Sequence, residues 1–260
     1  MKASGSGPNY EVFRFDFNTD PNPTPVNHDR EASGLEVIRK FCLSSSWSPA
    51  NPLPPEIEPT AWIAWQLGVD AERASREREH EAALRLARSS VHLAWRVRDR
   101  QRIYSNLTTL GNVLFAAGNL DDAEFAFRQI LELPFEGRWQ DKGIARMNLG
   151  NTLRVKGDNW AAAWNIERGL AWIGDLMQRK QRLVVLRGLA QLYGELNDLP
   201  GVICCASELI PPERFARILE TFRFNDIDGA MAIVTRCKAL SNRELAKRMH
   251  KMWLIQREET

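Results

Sequence analysis

The sequence predicts an all-α fold, a right-handed solenoid of stacked antiparallel helical hairpins preceded by a Pro-rich extension. Three observations predict it. Leu110-Gly111-Asn112 recurs as Leu149-Gly150-Asn151 after 39 residues, with Gly118 and Gly157, and then Ala123 and Ala162, at matching offsets. Another step of 40 reaches Leu189-Ala190-Gln191, where Asn197-Asp198 marks the turn. Within a copy, Leu107, Leu110 and Leu114 recur at i, i+3 and i+7, the period of a helix with one apolar face. Repeats of this length are the mark of a solenoid.

Residues 1–59 read as the extension. "DPNPTPVN" (20–27) and "SSSWSPANPLPPEIEP" (44–59) are Pro-rich and suited to irregular backbone. Between them Ser33 and Glu36 have the spacing of a capping box, opening a short helix with Leu35, Ile38 and Cys42 on one face. In "FRFDF", Phe13, Phe15 and Phe17 alternate with polar residues at strand period. Three aromatics on one face resist hydration, so they anchor on the chain's own surface, add as a strand to a partner's sheet, or remain disordered.

Residues 60–260 read as the solenoid. From Asp70, a candidate cap, the chain runs to Asp99 without Gly or Pro, as one long helix or two tightly joined. In the clear copy Gly111 sits on the apolar face, where a missing side chain lets the partner helix approach. Gly118-Asn119 tolerates a left-handed C-cap. Asp121 is placed to cap the second helix, whose Ala123, Phe127 and Ile130 form an inner stripe, and Pro134 ends it. Downstream, Pro212–Phe224 and Gly229–Leu240 read as a shortened hairpin, and Ser241–Gln256 as a solvent-facing capping helix.

These residues resemble the tetratricopeptide repeat (TPR) family. Leu110, Gly111, Leu114, Gly118, Ala123 and Phe127 occupy its signature positions, as do Leu149, Gly150, Leu153, Gly157, Ala162 and Ile166 in the next copy. The period of 39–40 exceeds the family's 34, and the third copy has Ala190 in place of the glycine. The resemblance implies that the first helix of each hairpin lines a concave groove. There Asn112, Asn151 and Gln191 form a ladder of amides that can donate to and accept from a peptide backbone. It also implies that Thr108, Asn148, Arg154 and Arg187 face the groove, the arginines suited to a carboxylate.

No chemistry of catalysis is legible. The four histidines share no spacing with each other, with cysteines or with carboxylates, and no phosphate-loop or dinucleotide fingerprint occurs. No catalytic residue, metal site or cofactor is therefore expected. Cys42, Cys204, Cys205 and Cys237 lack metal or disulfide spacing and read as small buried hydrophobes in a reduced compartment. A 260-residue chain of net charge +2, with no signal-like or membrane-length apolar run, is expected in the cytoplasm and off the membrane. Trp62, Trp65, Trp95, Trp160, Trp164 and Trp172 read as core, and Trp139, in a charged loop, as a candidate contact.

The function expected is a non-enzymatic protein–protein interaction module. Its groove binds a peptide segment or partner subunit to assemble or regulate a complex. Phe13, Phe15 and Phe17 form a second partner site. Two alternatives stand beside it. One is a regulatory subunit of a nucleic-acid-handling complex, docking through Arg243, Lys247, Arg248 and Lys251 of the basic C-terminal helix. The other is an enzyme regulator. The oligomeric state is open at this level.

Overall fold

The computed structural model places Arg78, Gly118, Gly157 and Asn197 in left-handed backbone, with φ of 65°, 81°, 89° and 57°. They recur at intervals of 40, 39 and 40 residues, so the repeat marked by two glycines continues through residues that are not glycine. Seven residues before them lie Ala71, Gly111, Gly150 and Ala190, and five after lie Ala83, Ala123, Ala162 and Val202, all buried. The small residue, the turn and the inner residue of the second helix thus hold one register through four copies.

The structure describes residues 28–50, 52–54, 58, 60–134, 139–198, 201, 202, 204, 205 and 208. Eight helices lie among them: α1 (His28–Leu43), α2 (Ala61–Arg76), α3 (His80–Arg96), α4 (Arg100–Ala116), α5 (Leu120–Glu132), α6 (Trp139–Val155), α7 (Asn159–Ile173) and α8 (Arg179–Glu195). Phe13, Phe15, Phe17, Cys237, the hairpin expected at 212–240 and the basic residues Arg243, Lys247, Arg248 and Lys251 lie outside the described residues. The chain divides into two compact units, Met1–Lys156 and Gly157–Thr260.

In the first unit α2 pairs with α3 and α4 with α5, and α4 also packs beside α2 and α6. Gly111 permits the α4–α5 contact, since a Cβ there would lie 2.5 Å from the Phe127 ring. Asn106 is buried in α4 and donates through Nδ2 to the carbonyls of Ala64 and Ser90, both at 3.0 Å. One amide thereby ties α4 to α2 and α3, satisfying a polar group that would otherwise be costly to bury. Lys156 closes the end of α6 onto α5, donating to Asp121 (2.6 Å) and Glu124 (2.7 Å). The Lys156 hydrogen bond, then that of Arg128, holds the Glu124 carboxyl below its usual range against some desolvation.

The sequence-level caps differ from those observed. Thr60, not Asp70, caps α2, accepting the Ile63 amide at 3.2 Å. The apolar run begins directly after Thr60, so Asp70 falls inside the helix, where Arg39 of α1 grips it through Nε and Nη2, both at 2.7 Å. Ser33 lies inside α1, which starts five residues earlier with Asp29 and Glu31 in its first turn. Leu35, Ile38 and Cys42 are buried as their spacing predicts. Asp121 sits in the first turn of α5, and Asn119 holds the N-cap without a side-chain bond. Between Asp70 and Asp99 the chain forms the second of the two expected alternatives, the end of α2 and the whole of α3 tightly joined at Arg78, with a further left-handed residue, Arg98, after α3.

Residues 44–50 and 52–54 run as an irregular strap along α3. Buried Ser89 donates to the Pro52 carbonyl at 2.7 Å, accepts the Trp47 indole N–H at 3.1 Å, and lies 3.2 Å from Cys42 Sγ. Arg85 donates to the carbonyls of Cys42 (3.3 Å) and Ser44 (3.0 Å), and its guanidinium stands 5.4 Å over the Trp47 ring. A segment without secondary structure therefore satisfies its backbone on helix side chains. Burial pushes the Cys42 thiol up.

In the second unit α7 packs against α8. Burial first, and then the charge of Glu167 on α7, raise the Tyr193 phenol of α8 above its ordinary value. Ala162, Ile166, Gly169 and Ile173 form the buried stripe of α7.

Arg78 carries a strain that Gly118 does not. Left-handed backbone costs an L-residue about 1–2 kcal/mol, partly offset by the larger entropy a glycine loses on folding. Arg78→Gly is expected to stabilise the protein by about 0.5 kcal/mol and Gly118→Ala to destabilise it by about 1 kcal/mol. Thermal melts of the two variants check both signs.

Candidate functional site

The candidate face of the first unit is built from the first helix of each hairpin, α2, α4 and α6. Neighbouring helices are joined there by side-chain rungs. Thr109 Oγ1 of α4 donates to Glu72 Oε1 of α2 at 3.2 Å. Asn148 Nδ2 of α6 donates to Asn112 Oδ1 of α4 at 3.1 Å. Both rungs obey one rule: the residue two before the small position bonds the residue just after the small position in the preceding copy. The rule follows from the register, since Glu72 and Asn112 follow Ala71 and Gly111, while Thr109 and Asn148 precede Gly111 and Gly150 by two.

Asn151 follows Gly150 and is equivalent to Glu72 and Asn112. It is 8% exposed, and its Nδ2 has no hydrogen-bond partner among the described residues. The same holds for Asn148 Oδ1, three residues away on the same face of α6. A buried donor and a buried acceptor thus stand side by side, each carrying a desolvation cost of roughly 1–3 kcal/mol while unpaired. A peptide group has the complementary acceptor and donor. Around them the face is half-buried: Trp65 and Glu72 on α2, Thr108 and Phe115 on α4, and Arg154 on α6. Thr108 turns its hydroxyl to the Tyr104 carbonyl of its own helix at 3.0 Å.

On α8 of the second unit Arg187 and Gln191 are exposed, and Gln191 Nε2 donates to Glu195 at 3.0 Å. The amides expected to form one uniform ladder are therefore of two kinds, buried at Asn112 and Asn151 and exposed at Gln191. The rungs are not legible in the sequence because they need two positions per copy, and only one of them carries an amide throughout the clear repeats.

The tryptophans overturn the expectation of a core role. Trp160, Trp164, Trp95 and Trp172 are 65%, 47%, 47% and 38% exposed, while Trp62 and Trp65 are half-buried. On α7 the buried stripe begins at Ala162. Trp160 and Trp164 each lie two residues from it, about 200° around the helix, and so face away from the core. Trp139, read as lying in a charged loop, is instead the first residue of α6, and it is exposed. Among the described residues no three His, Cys, Asp or Glu side chains are grouped to hold a metal ion, and no helix is long and apolar enough to cross a membrane.

No family model matches the chain, and no curated protein matches it. Solved structures do. One shows nearly identical TPR-like repeats of a Podosopora anserina protein assigned as a kinesin light chain. It is 13% identical, covers 75% of this chain and 95% of its own, and has a TM-score of 0.51. Another is BtubC (BKLC) from P. vanneervenii, 16% identical over 88% of this chain and 92% of its own, with a TM-score of 0.53. At such identities the likeness concerns architecture alone. The left-handed turn every 39–40 residues, the small residue before it and these structural neighbours together establish that the chain has the TPR-like fold of stacked helical hairpins.

Proposed function

We propose that this chain is a non-enzymatic, cytoplasmic interaction module that holds a peptide segment or partner subunit on the α2–α4–α6 face of its first unit, and so assembles or regulates a complex. The observation that carries the reading is the pair Asn148 Oδ1 and Asn151 Nδ2, a buried acceptor and donor without partners beside the Asn112–Asn148 rung. In an extended peptide the N–H and C=O of one residue point the same way and can satisfy both. Thr108 and Arg154 border the pair on the same face, Arg154 being suited to a carboxylate. Arg187 and Gln191 offer the corresponding chemistry on α8. The TPR-like fold supports the reading in general terms, since stacked hairpins present extended binding surfaces.

Affinity purification from the native host, with mass spectrometry, tests it by comparing wild type with Asn151→Leu/Arg154→Ala. A defined partner is expected with wild type and at least tenfold less of it with the variant, whose melting temperature stays within a few degrees of wild type. A partner retained by the folded variant overturns the assignment. Retention combined with a steep loss between low and moderate salt would point instead to the phosphate-type binding expected of the basic residues Arg243, Lys247, Arg248 and Lys251.

A further inference from the structure

The exposed face of α7 has no role in this binding reading. It carries Trp160, Trp164, Arg168 and Trp172 at strict i, i+4 spacing, with Ala161 and Ala171 flanking the row. Arg168 is the sole charge in this row, and its guanidinium lies over the Trp164 ring, 4.8 Å from the centroid. The other exposed charge of α7, Glu167, lies off this row and acts electrostatically on Tyr193 of α8. Leu176, in the turn that follows α7, is 45% exposed.

The area is large for a single helix. The three exposures, 65%, 47% and 38%, amount to one and a half bare indoles. At about 250 Å² per side chain that is ~375 Å², within the range of patches that mark interaction sites on monomers. Two such faces in contact bury ~750 Å² of indole, the apolar centre of an interface of standard size, about 1,600 Å² with its rim.

The order of the row selects the occupant. It is symmetric about Ile166, the midpoint of α7 (Asn159–Ile173). Laid antiparallel on a copy of itself, the helix sets Trp160 against Trp172, Trp164 against Arg168, and Ala161 against Ala171. Every indole then meets an indole or a guanidinium, both favourable contacts. The two Arg168 side chains stand about one turn apart and do not oppose each other. A row with one cation, already stacked on an indole, has little net field with which to attract an acidic or a basic partner. An isologous contact asks only for this self-complementarity.

We propose that a second copy of this chain docks on α7, forming a two-fold dimer through antiparallel packing of the Trp160–Trp164–Arg168–Trp172 rows. The dimer places two binding units in one particle, so a partner with two copies of a recognised segment is held by both.

Sedimentation equilibrium of the full chain from about 1 to 100 µM tests the proposal. Wild type is expected to dimerise in this range. Trp160→Ser and Arg168→Glu are each expected to weaken the dimer at least tenfold while leaving the melting temperature within a few degrees. Phe125→Ser, at an exposed apolar position of α5 equivalent to Trp164, is expected to leave the dimer unchanged. A wild type that stays monomeric at 100 µM overturns the proposal. So does a dimer indifferent to both α7 substitutions, or one lost in Phe125→Ser.

Discussion

Phe127→Ala is expected to destabilise the first unit by about 3–5 kcal/mol, the usual cost of removing a fully buried aromatic. Phe127 is 1% exposed and sits where α5 presses on α4 at Gly111. The same contact makes Gly111→Ala informative. Alanine in a helix interior is favoured over glycine by about 1 kcal/mol, so propensity alone predicts a gain. The new Cβ would stand 2.5 Å from one ring atom of Phe127 and 2.7 Å from another, so the ring must move within a packed core. Overpacking of this kind costs about 1–3 kcal/mol, and we expect it to win. With Phe127 truncated the conflict vanishes, and the sign should reverse. In the Phe127→Ala background Gly111→Ala is expected to stabilise by up to about 1 kcal/mol. Urea titrations of the four proteins close the cycle. If Gly111→Ala stabilises the wild type, the close approach of α4 and α5 is not what keeps this position small.

Ser89→Ala is expected to cost about 2 kcal/mol and to loosen the strap along α3 before anything else. The hydroxyl serves Trp47 Nε1 and the Pro52 carbonyl at once, so its removal leaves a donor and an acceptor unpaired. Each buried loss is worth roughly 1–3 kcal/mol, and Trp47, only half-buried, recovers part of its share from water. Because Arg85 still holds the Cys42 and Ser44 carbonyls, α1 should keep its place while Trp47 and residues 52–54 come away from α3. Hydrogen exchange is the measure. The Ser89→Ala protein should exchange faster in the strap, with α4 and α5 unchanged. Equal loss of protection across the whole unit would show that the hydroxyl supports α3 itself and not the strap.

Much of this protein is legible in its sequence, for an identifiable reason. Leu110-Gly111-Asn112 and its copy expose the repeat because a glycine facing a helix partner and a glycine in left-handed backbone are both steric demands, and steric demands constrain residue type. The same demands are met less visibly at Arg78 and Asn197, where tertiary packing holds a non-glycine in left-handed backbone, and at Ala71 and Ala190, where alanine is small enough. Sequence periodicity found the apolar faces of α1 and α4 for the same reason. It could not tell which of two apolar faces of α7 is buried, since Ala162 and Ile166 have no more hydrophobicity to offer than Trp160 and Trp164. The structure buries the face of Ala162, Ile166, Gly169 and Ile173 and leaves the indoles outside. Nor could periodicity foresee that Asp70 leaves the role of cap to pair with Arg39, or that Asn148 spends its amide on Asn112 while Asn151 keeps one unpaired. Those outcomes depend on what stands across a helix–helix contact, some 30 to 40 residues away along the chain. Local pattern determined where the helices are and which residues turn the chain. Only the packing of one helix on another decided which polar groups are spent on structure and which are left unpaired.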